Sequence, residues 1–395
     1  MTHRTKAAFL LAGLIASGSI LVAGPLNPPG GPVASTYKTL TEVEPRTAIS
    51  ATNTPGDADS VVRISQPGSY YLTGNLPGSA GKHTIKVAAD HVTIDLSGMS
   101  IEGHPSSLSG IHADGPRVNL TVRNGTIRNI GAGPGLAYNI SGSRTWHVEN
   151  LAALNNGGDG IRVPAGSIVS HTRAASNLGM GIRALDRGRV LDSVSELNSG
   201  NGFQVSQASV VSGVVARDNS GNGIESLGDG VRVADSSSIG NAGHGILVNN
   251  GAVVAGCIVR SNAFTGITTS SSCLIERNDV TFSGGHGIVV HTYSIVRDNA
   301  SNSNGASSLG AGVFTNGFRN RIEGNHCNEN DYGVRVTASQ NFIARNVVGT
   351  NTTLNWDIAV GNLCLVVQSA AAAAISGNSG GTSPGSTDPN ANFTN

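Results

Sequence analysis

Six times between Asn156 and Ile267 the chain repeats one phrase: an asparagine, three residues, a glycine, and then an aliphatic or aromatic residue. The copies are Asn156 to Gly160-Ile161, Asn177 to Gly181-Ile182, Asn198 to Gly202-Phe203, Asn219 to Gly223-Ile224, Asn241 to Gly245-Ile246 and Asn262 to Gly266-Ile267. Successive glycines are 21, 21, 21, 22 and 21 residues apart. A period this short, built from Asn, Gly and β-branched residues without helical apolar spacing, predicts one turn of a β-solenoid per repeat. Looser copies extend it, from Gly110-Ile111 and Gly135-Leu136 to Gly287-Ile288, Gly312-Val313 and Gly333-Val334.

Within a turn, the period of two along Gly-Ile-x-Val sends Ile and Val inward and x outward. Ile161 and Val163 are then expected to pack on Ile182 and Ala184, and these on Phe203 and Val205. The recurring asparagines fall at one corner, where each amide can bond to the Asn above and below and to local backbone. A second Asn phrase marks the later turns at Asn278, Asn299, Asn325 and Asn346. Eleven turn starts, with about two more ahead of them, predict an all-β, single-stranded solenoid of about 12–13 rungs of ~21 residues.

Composition agrees with a solenoid. Only 38% of the 395 residues are hydrophobic and 4% aromatic, little for ordinary globular domains but enough for thin stacked rungs. The 25 basic residues balance 25 acidic ones and form no run or stripe, which argues against nucleic acid or an anionic membrane surface as partner.

Residues 1–23 read as a secretory signal: His3, Arg4 and Lys6 precede an apolar stretch, and Pro25 follows. Residues 24–60 read as a leader and N-terminal cap, because an open solenoid end exposes unpaired strand edges. The β-helix is expected over 61–376 and a flexible tail over 377–395. No later stretch is long and apolar enough to span a bilayer. The expected location is secreted or periplasmic. Cys257, Cys273, Cys327 and Cys364 sit at different offsets in the repeat and are expected to be buried thiols.

The Asn-x-x-x-Gly-Ile repeat resembles that of the right-handed parallel β-helices of the pectate-lyase-like superfamily, in particular its uncharacterised secreted bacterial members. The resemblance runs from about Val61 to Val367. It implies the fold, and a range of roles that includes polysaccharide lyases, glycoside hydrolases, esterases, epimerases, tailspikes and adhesins. Polygalacturonase-type hydrolases carry Asn-x-Asp, Asp-Asp, Gly-His-Gly and Arg-Ile-Lys in that order. Here Gly243-His244-Gly245 and Gly285-His286-Gly287 match the third phrase. Asn355-Trp356-Asp357 comes after both, no Asp-Asp pair exists, and Arg321-Ile322-Glu323 lacks the final lysine. Gly-His-Gly is then the repeat itself with His in a variable slot.

The outward column of the Gly-Ile-x-Val strands should read Ala137, Arg162, Arg183, Gln204, Glu225, Leu247, Thr268, Val289, Phe314 and Arg335. Arg162 and Arg183 are adjacent and suited to gripping a uronate; Glu225 is the column's carboxylate. Farther along, His286, His291, Tyr293, Phe314, Tyr332 and Arg335 gather several of the few aromatics beside an enlarged turn, as glycan or protein recognition would use them; His244, two turns before His286, is a further candidate. No metal set and no cofactor motif is visible. The resulting expectation is an exported scaffold presenting an elongated face to a polysaccharide, cell-surface glycan or other partner. The alternative is a lyase or hydrolase acting on acidic polysaccharide.

Overall fold

Each repeat folds into three short strands, as in Ile161–Val163, Ile168–Ser170 and Arg173–Ala175. The computed structural model describes residues 45–137, 143–306, 309–369, 375–376 and 388–394, and from Arg46 onward these form one unit. Residues 1–44, which hold the stretch read as a signal and most of that read as a leader, lie outside the described residues.

First strands of successive turns pair in parallel, with Ile161 opposite Ile182, Ile182 opposite Phe203 and Phe203 opposite Ile224. They build a 15-stranded front sheet, while the second and third strands of each turn belong to a 29-stranded back sheet. Inward residues Ile161, Val163, Ile182, Ala184, Phe203 and Val205 are buried and stack in columns along one continuous core. Parallel stacking with a core inside every turn is the arrangement that the period of 21 demands.

The solenoid has about 15 turns, slightly more than the repeat phrase counts. The turns outside the eleven repeat phrases are at the ends: Ser60–Ile64 and His83–Val87 are the two expected ahead of them and Leu354–Ile358 follows, and in all three pairing continues without the Asn–Gly phrase. Pro55–Asp57 folds back antiparallel on Ser60–Ile64 and covers the first edge of the front sheet. Thr47–Ala48 already pairs in parallel with Gly68–Tyr71. The segment 377–395, read as a tail, is described only at 388–394. There Asn392–Thr394 is a strand parallel to Val347–Gly349, because Asn392 extends an asparagine column by accepting from the Asn346 backbone N–H at 3.0 Å.

The corner column is a hydrogen-bonded ladder. The backbone N–H and side-chain Nδ2 of Asn156, Asn177, Asn198, Asn219 and Asn241 each donate to Oδ1 of the next asparagine, ending at Asn262. Each Nδ2 reaches a second acceptor, such as the Ala153 carbonyl for Asn177 at 3.1 Å. The residue before each rung is left-handed: Asn155, Ser176, Leu197, Asp218, Gly240 and Ser261 all have φ between 53° and 68°. Most side chains resist that conformation, and the ladder bonds beside it hold the corner closed.

At Ser283 the ladder changes. Its N–H donates to Asn304 Oδ1 at 3.0 Å, but its buried hydroxyl has no partner. Asn304, Asn330 and Asn351 then resume the column. The second phrase forms its own ladder from Asn278 through Asn299, Asn325 and Asn346. A third, through Asn320, Asn341 and Asn362, has no counterpart in the sequence reading. Cys257, Cys273 and Cys327 are free and buried, and Cys364 is free and half-buried.

Candidate functional site

On the outer face of the front sheet, the register pairs Arg162 with Arg183, then Gln204, Glu225, Leu247, Thr268, Val289, Phe314 and Arg335 in turn. Beyond both predicted ends it continues. Arg63, Lys86 and His112 precede Ala137, and Asp357 follows Arg335. A parallel column holds the residues just before the repeat glycines: Asp159, Met180, Asn201, Asn222, His244, Thr265 and His286, each accepting a backbone bond from the glycine one turn earlier.

Arg162 and Arg183 are neighbours with different commitments. Arg162 donates from Nε and Nη2 to Asp159 Oδ2, at 2.9 and 2.7 Å. Arg183 has no carboxylate partner among the described residues, and its Nε is buried without an acceptor. The other front-face arginines are compensated, Arg63 by Asp57 and Asp114, and Arg335 by Asp357 at 2.9 Å. The two arginines therefore do not act as the equal pair that adjacency implied. Glu225 accepts from Gln204 Nε2 at 2.8 Å and from Asn201 Nδ2, while Gln204 Oε1 is buried and unpaired.

One turn past Glu225 stands His244, whose Nδ1 lies 3.3 Å from Thr268 Oγ1. Burial lowers its pKa, against the opposing pull of the Thr265 backbone and of Glu225. His286 lies flat on Phe314, centroids 4.6 Å apart and planes 6° from parallel. Its Nδ1 accepts the Ala311 N–H at 2.9 Å, so the neutral ring carries its proton on Nε2. Burial, then nearby Arg335, lowers its pKa as well. The Arg335 guanidinium sits 4.5 Å from the Tyr332 ring centre and 6.0 Å from that of Phe314. The structure thus brings His286, Phe314, Tyr332 and Arg335 together, with His244 two turns before His286 and Arg162, Arg183 and Glu225 farther along the same face.

Sequence reasoning missed two features. Phe264, 57% exposed, occupies a position that is glycine in neighbouring turns, shown by the chain of backbone bonds Gly179, Gly200, Gly221, Gly243, Phe264, Gly285. Aligning the repeats by offset would have revealed it. The other is a charged cluster on the first turns: Lys86 pairs with Asp57 at 3.0 Å and with Asp59, and His83 stacks on His112 at 3.9 Å. All its cations have carboxylate partners, and it fastens the Pro55–Asp57 hairpin to the face. Among the described residues no group of three or more His, Cys, Asp or Glu is arranged to hold a metal, and no helix is long and apolar enough to cross a membrane.

No family model and no curated protein matches the chain. Solved structures do. The Azotobacter vinelandii mannuronan C-5 epimerase AlgE4 A-module superposes with a TM-score of 0.51 at 15% identity, over 75% of this chain and 90% of that one. The periplasmic alginate epimerase AlgG gives a TM-score of 0.48 at 12% identity, over 80% and 82%. At such identities the likeness concerns the fold. With its parallel turns of about 21 residues and its continuous front sheet, the chain is a right-handed parallel β-helix, the fold it shares with the AlgE4 A-module.

Proposed function

We propose that the front face binds an acidic polysaccharide, with Arg183 receiving the carboxylate of a uronate unit, and that the protein acts outside the cytoplasm once residues 1–23 are removed. The observation that carries this reading is the uncompensated, partly buried Arg183 guanidinium. A guanidinium with a buried unpaired N–H gains most from an acceptor that is planar, anionic and bidentate, which describes a carboxylate. Around it lie Gln204, Asn201 and Glu225, amide and carboxylate groups of the kind that bond sugar hydroxyls. The fold neighbour AlgE4 is a mannuronan C-5 epimerase, which lends support to a uronate-containing ligand.

A catalytic reading is favoured by one observation, the neutral His244 on the turn next to Glu225. A uronate lying over Glu225 and His244, three turns or about 14 Å along the axis from the unit whose carboxylate Arg183 holds, would offer the proton on the carbon beside its own carboxylate to the neutral imidazole. The carbanion would then either expel the neighbouring glycosidic oxygen, breaking the chain, or regain a proton on its opposite face.

Titration calorimetry with oligomannuronate at low and high salt tests binding. Affinity should fall with salt, and Arg183→Ala should weaken it about tenfold or more. Equal binding by the wild type and Arg183→Ala overturns the uronate reading. Absorbance of unsaturated products and deuterium wash-in by NMR test catalysis; turnover lost in His244→Ala favours it, and no turnover leaves binding alone.

A further inference from the structure

We infer that Phe264 is the floor of a second sugar subsite that takes an uncharged pyranose unit, so that the polysaccharide bound here contains neutral as well as acidic sugars. The inference rests on the proposed uronate site at Arg183 for the identity of the polymer, and on separate geometry for the subsite.

Phe264 is the one aromatic in its column of glycines. Gly243 precedes it and Gly285 follows, joined to it by backbone bonds of 3.2 and 3.1 Å. With no side chain at either neighbouring column position, the ring is left largely exposed. His244 flanks it, ring centroids 5.6 Å apart and tilted 46°. Together with Ala263, Thr265, Gly284, Gly285 and His286 they line a cleft of about 740 Å³, room for a monosaccharide unit and its neighbours.

The cleft's chemistry selects the occupant. None of its lining residues is an acid, lysine or arginine, so a carboxylate would lose its water there without gaining a counter-charge. Both histidines are held toward the neutral form by burial. An uncharged pyranose loses little on entering. Its C–H face carries slight positive charge and meets the negative face of the Phe264 ring, while the Nε2–H of His286 remains free of the Ala311 bond made by Nδ1 and can serve a hydroxyl.

Spacing connects the two sites. From Arg183 the front column steps through Gln204, Glu225 and Leu247 to Thr268, which shares a turn with Phe264. Four steps of about 4.8 Å place the subsites about 19 Å apart along the axis, the length of roughly four sugar units. A polymer lying along the face would present a uronate to one and a neutral unit to the other.

The test uses the full chain with three probes: oligomannuronate, which is acidic throughout; cellohexaose, which is neutral throughout; and an octasaccharide of a trisaccharide repeat, one glucuronate followed by two neutral sugars, in which the fourth unit after each glucuronate is neutral. Titration calorimetry is run on the wild type, Phe264→Ala and Arg183→Ala. Phe264 is exposed, and its neighbours in the column are glycines, so the substitution leaves the fold intact; circular dichroism melting checks this. The expected result is tightest binding of the mixed octasaccharide, about tenfold weaker with Phe264→Ala, and oligomannuronate binding unchanged by that variant. Arg183→Ala should weaken both acidic probes. If Phe264→Ala leaves the octasaccharide unaffected, or weakens oligomannuronate equally, the neutral subsite is overturned while the uronate reading stands. Loss confined to Phe264→Ala, with Arg183→Ala silent, sinks the uronate reading and retains the subsite. Absence of binding to all three probes sinks both.

Discussion

Asn219 donates twice to one atom: its backbone N–H and its Nδ2 reach Asn241 Oδ1 at 3.1 and 2.9 Å. Its own Oδ1 accepts the same two bonds from Asn198. One residue therefore closes the corner of two turns. Asn219→Ala leaves the buried backbone N–H of Asn198 without an acceptor, takes one bond from its Nδ2, and should cost about 1 to 3 kcal/mol. Thermal or urea unfolding measures it; a loss within error of zero would show that the ladder contributes nothing to stability.

Ser283 offers the opposite experiment. It sits in the asparagine column between Asn262 and Asn304, and its hydroxyl is buried and unpaired. Ser283→Asn restores the residue the column carries elsewhere. The variant should gain about 1 kcal/mol from new ladder bonds, seen as a higher melting temperature. A lower one would mean that the corner there has no room for the amide.

Asp159 neutralises Arg162 through both guanidinium bonds and also accepts the Met180 N–H at 2.8 Å from its other oxygen. Asp159→Asn keeps an oxygen for Met180 and releases the charge of Arg162. A second free cation beside Arg183 should tighten oligomannuronate binding about threefold to tenfold and steepen its salt dependence. Unchanged affinity would place the uronate away from this pair.

Acid should weaken the first turns in two stages. Burial, reinforced by neighbouring His83, lowers the His112 pKa from 6.5 to about 4. The unfolded chain therefore takes up a proton that the folded one refuses. That contribution to stability is complete above pH 6.5 and is lost as pH falls toward 4. Asp57 is held below the usual carboxylate range by its bond to Ser60 and then by Arg63 and Lys86, against burial. Its contribution is complete above the unfolded value and is lost as pH falls below about 4. Melting temperature against pH should decline through both windows, and His112→Gln should flatten the first. An identical slope in that variant would assign the loss to other groups.

The thiols should be slow to react. Burial pushes Cys257 up to about 11 and Cys327 up to about 12, so neither presents thiolate at neutral pH. Cys364 is also raised, to about 11, but is only half-buried. Mass spectrometry after brief alkylation of native protein should find label at Cys364 first, and four labels only after unfolding. Rapid labelling of Cys327 would contradict its place in the core.

The charge on the front face could not be apportioned from sequence. The outward column was legible because a period of two and a repeat of 21 specify which residues stack. That Arg162 is neutralised and Arg183 is not depends on Asp159, three residues before the first of them, turning back to it. Phe264 was readable as an exception to the glycine column, but its flanking by His244 needed the two adjacent turns in place. The closure of the C-terminal end escaped for a related reason. The corners there lack the Asn–Gly phrase, yet Leu354–Ile358 still pairs on Tyr332–Val336, and Asn392 joins a column that Asn346 left 46 residues earlier.

By itself the sequence determined the solenoid, its axial register and the line of residues facing outward, since each follows from a local period repeated in one direction. Only the tertiary structure decided which of those charges are cancelled, which rings meet, and where the ends close. Those outcomes depend on side chains from different turns and on segments without the repeat, whose separations along the chain carry no signal of their distance in space.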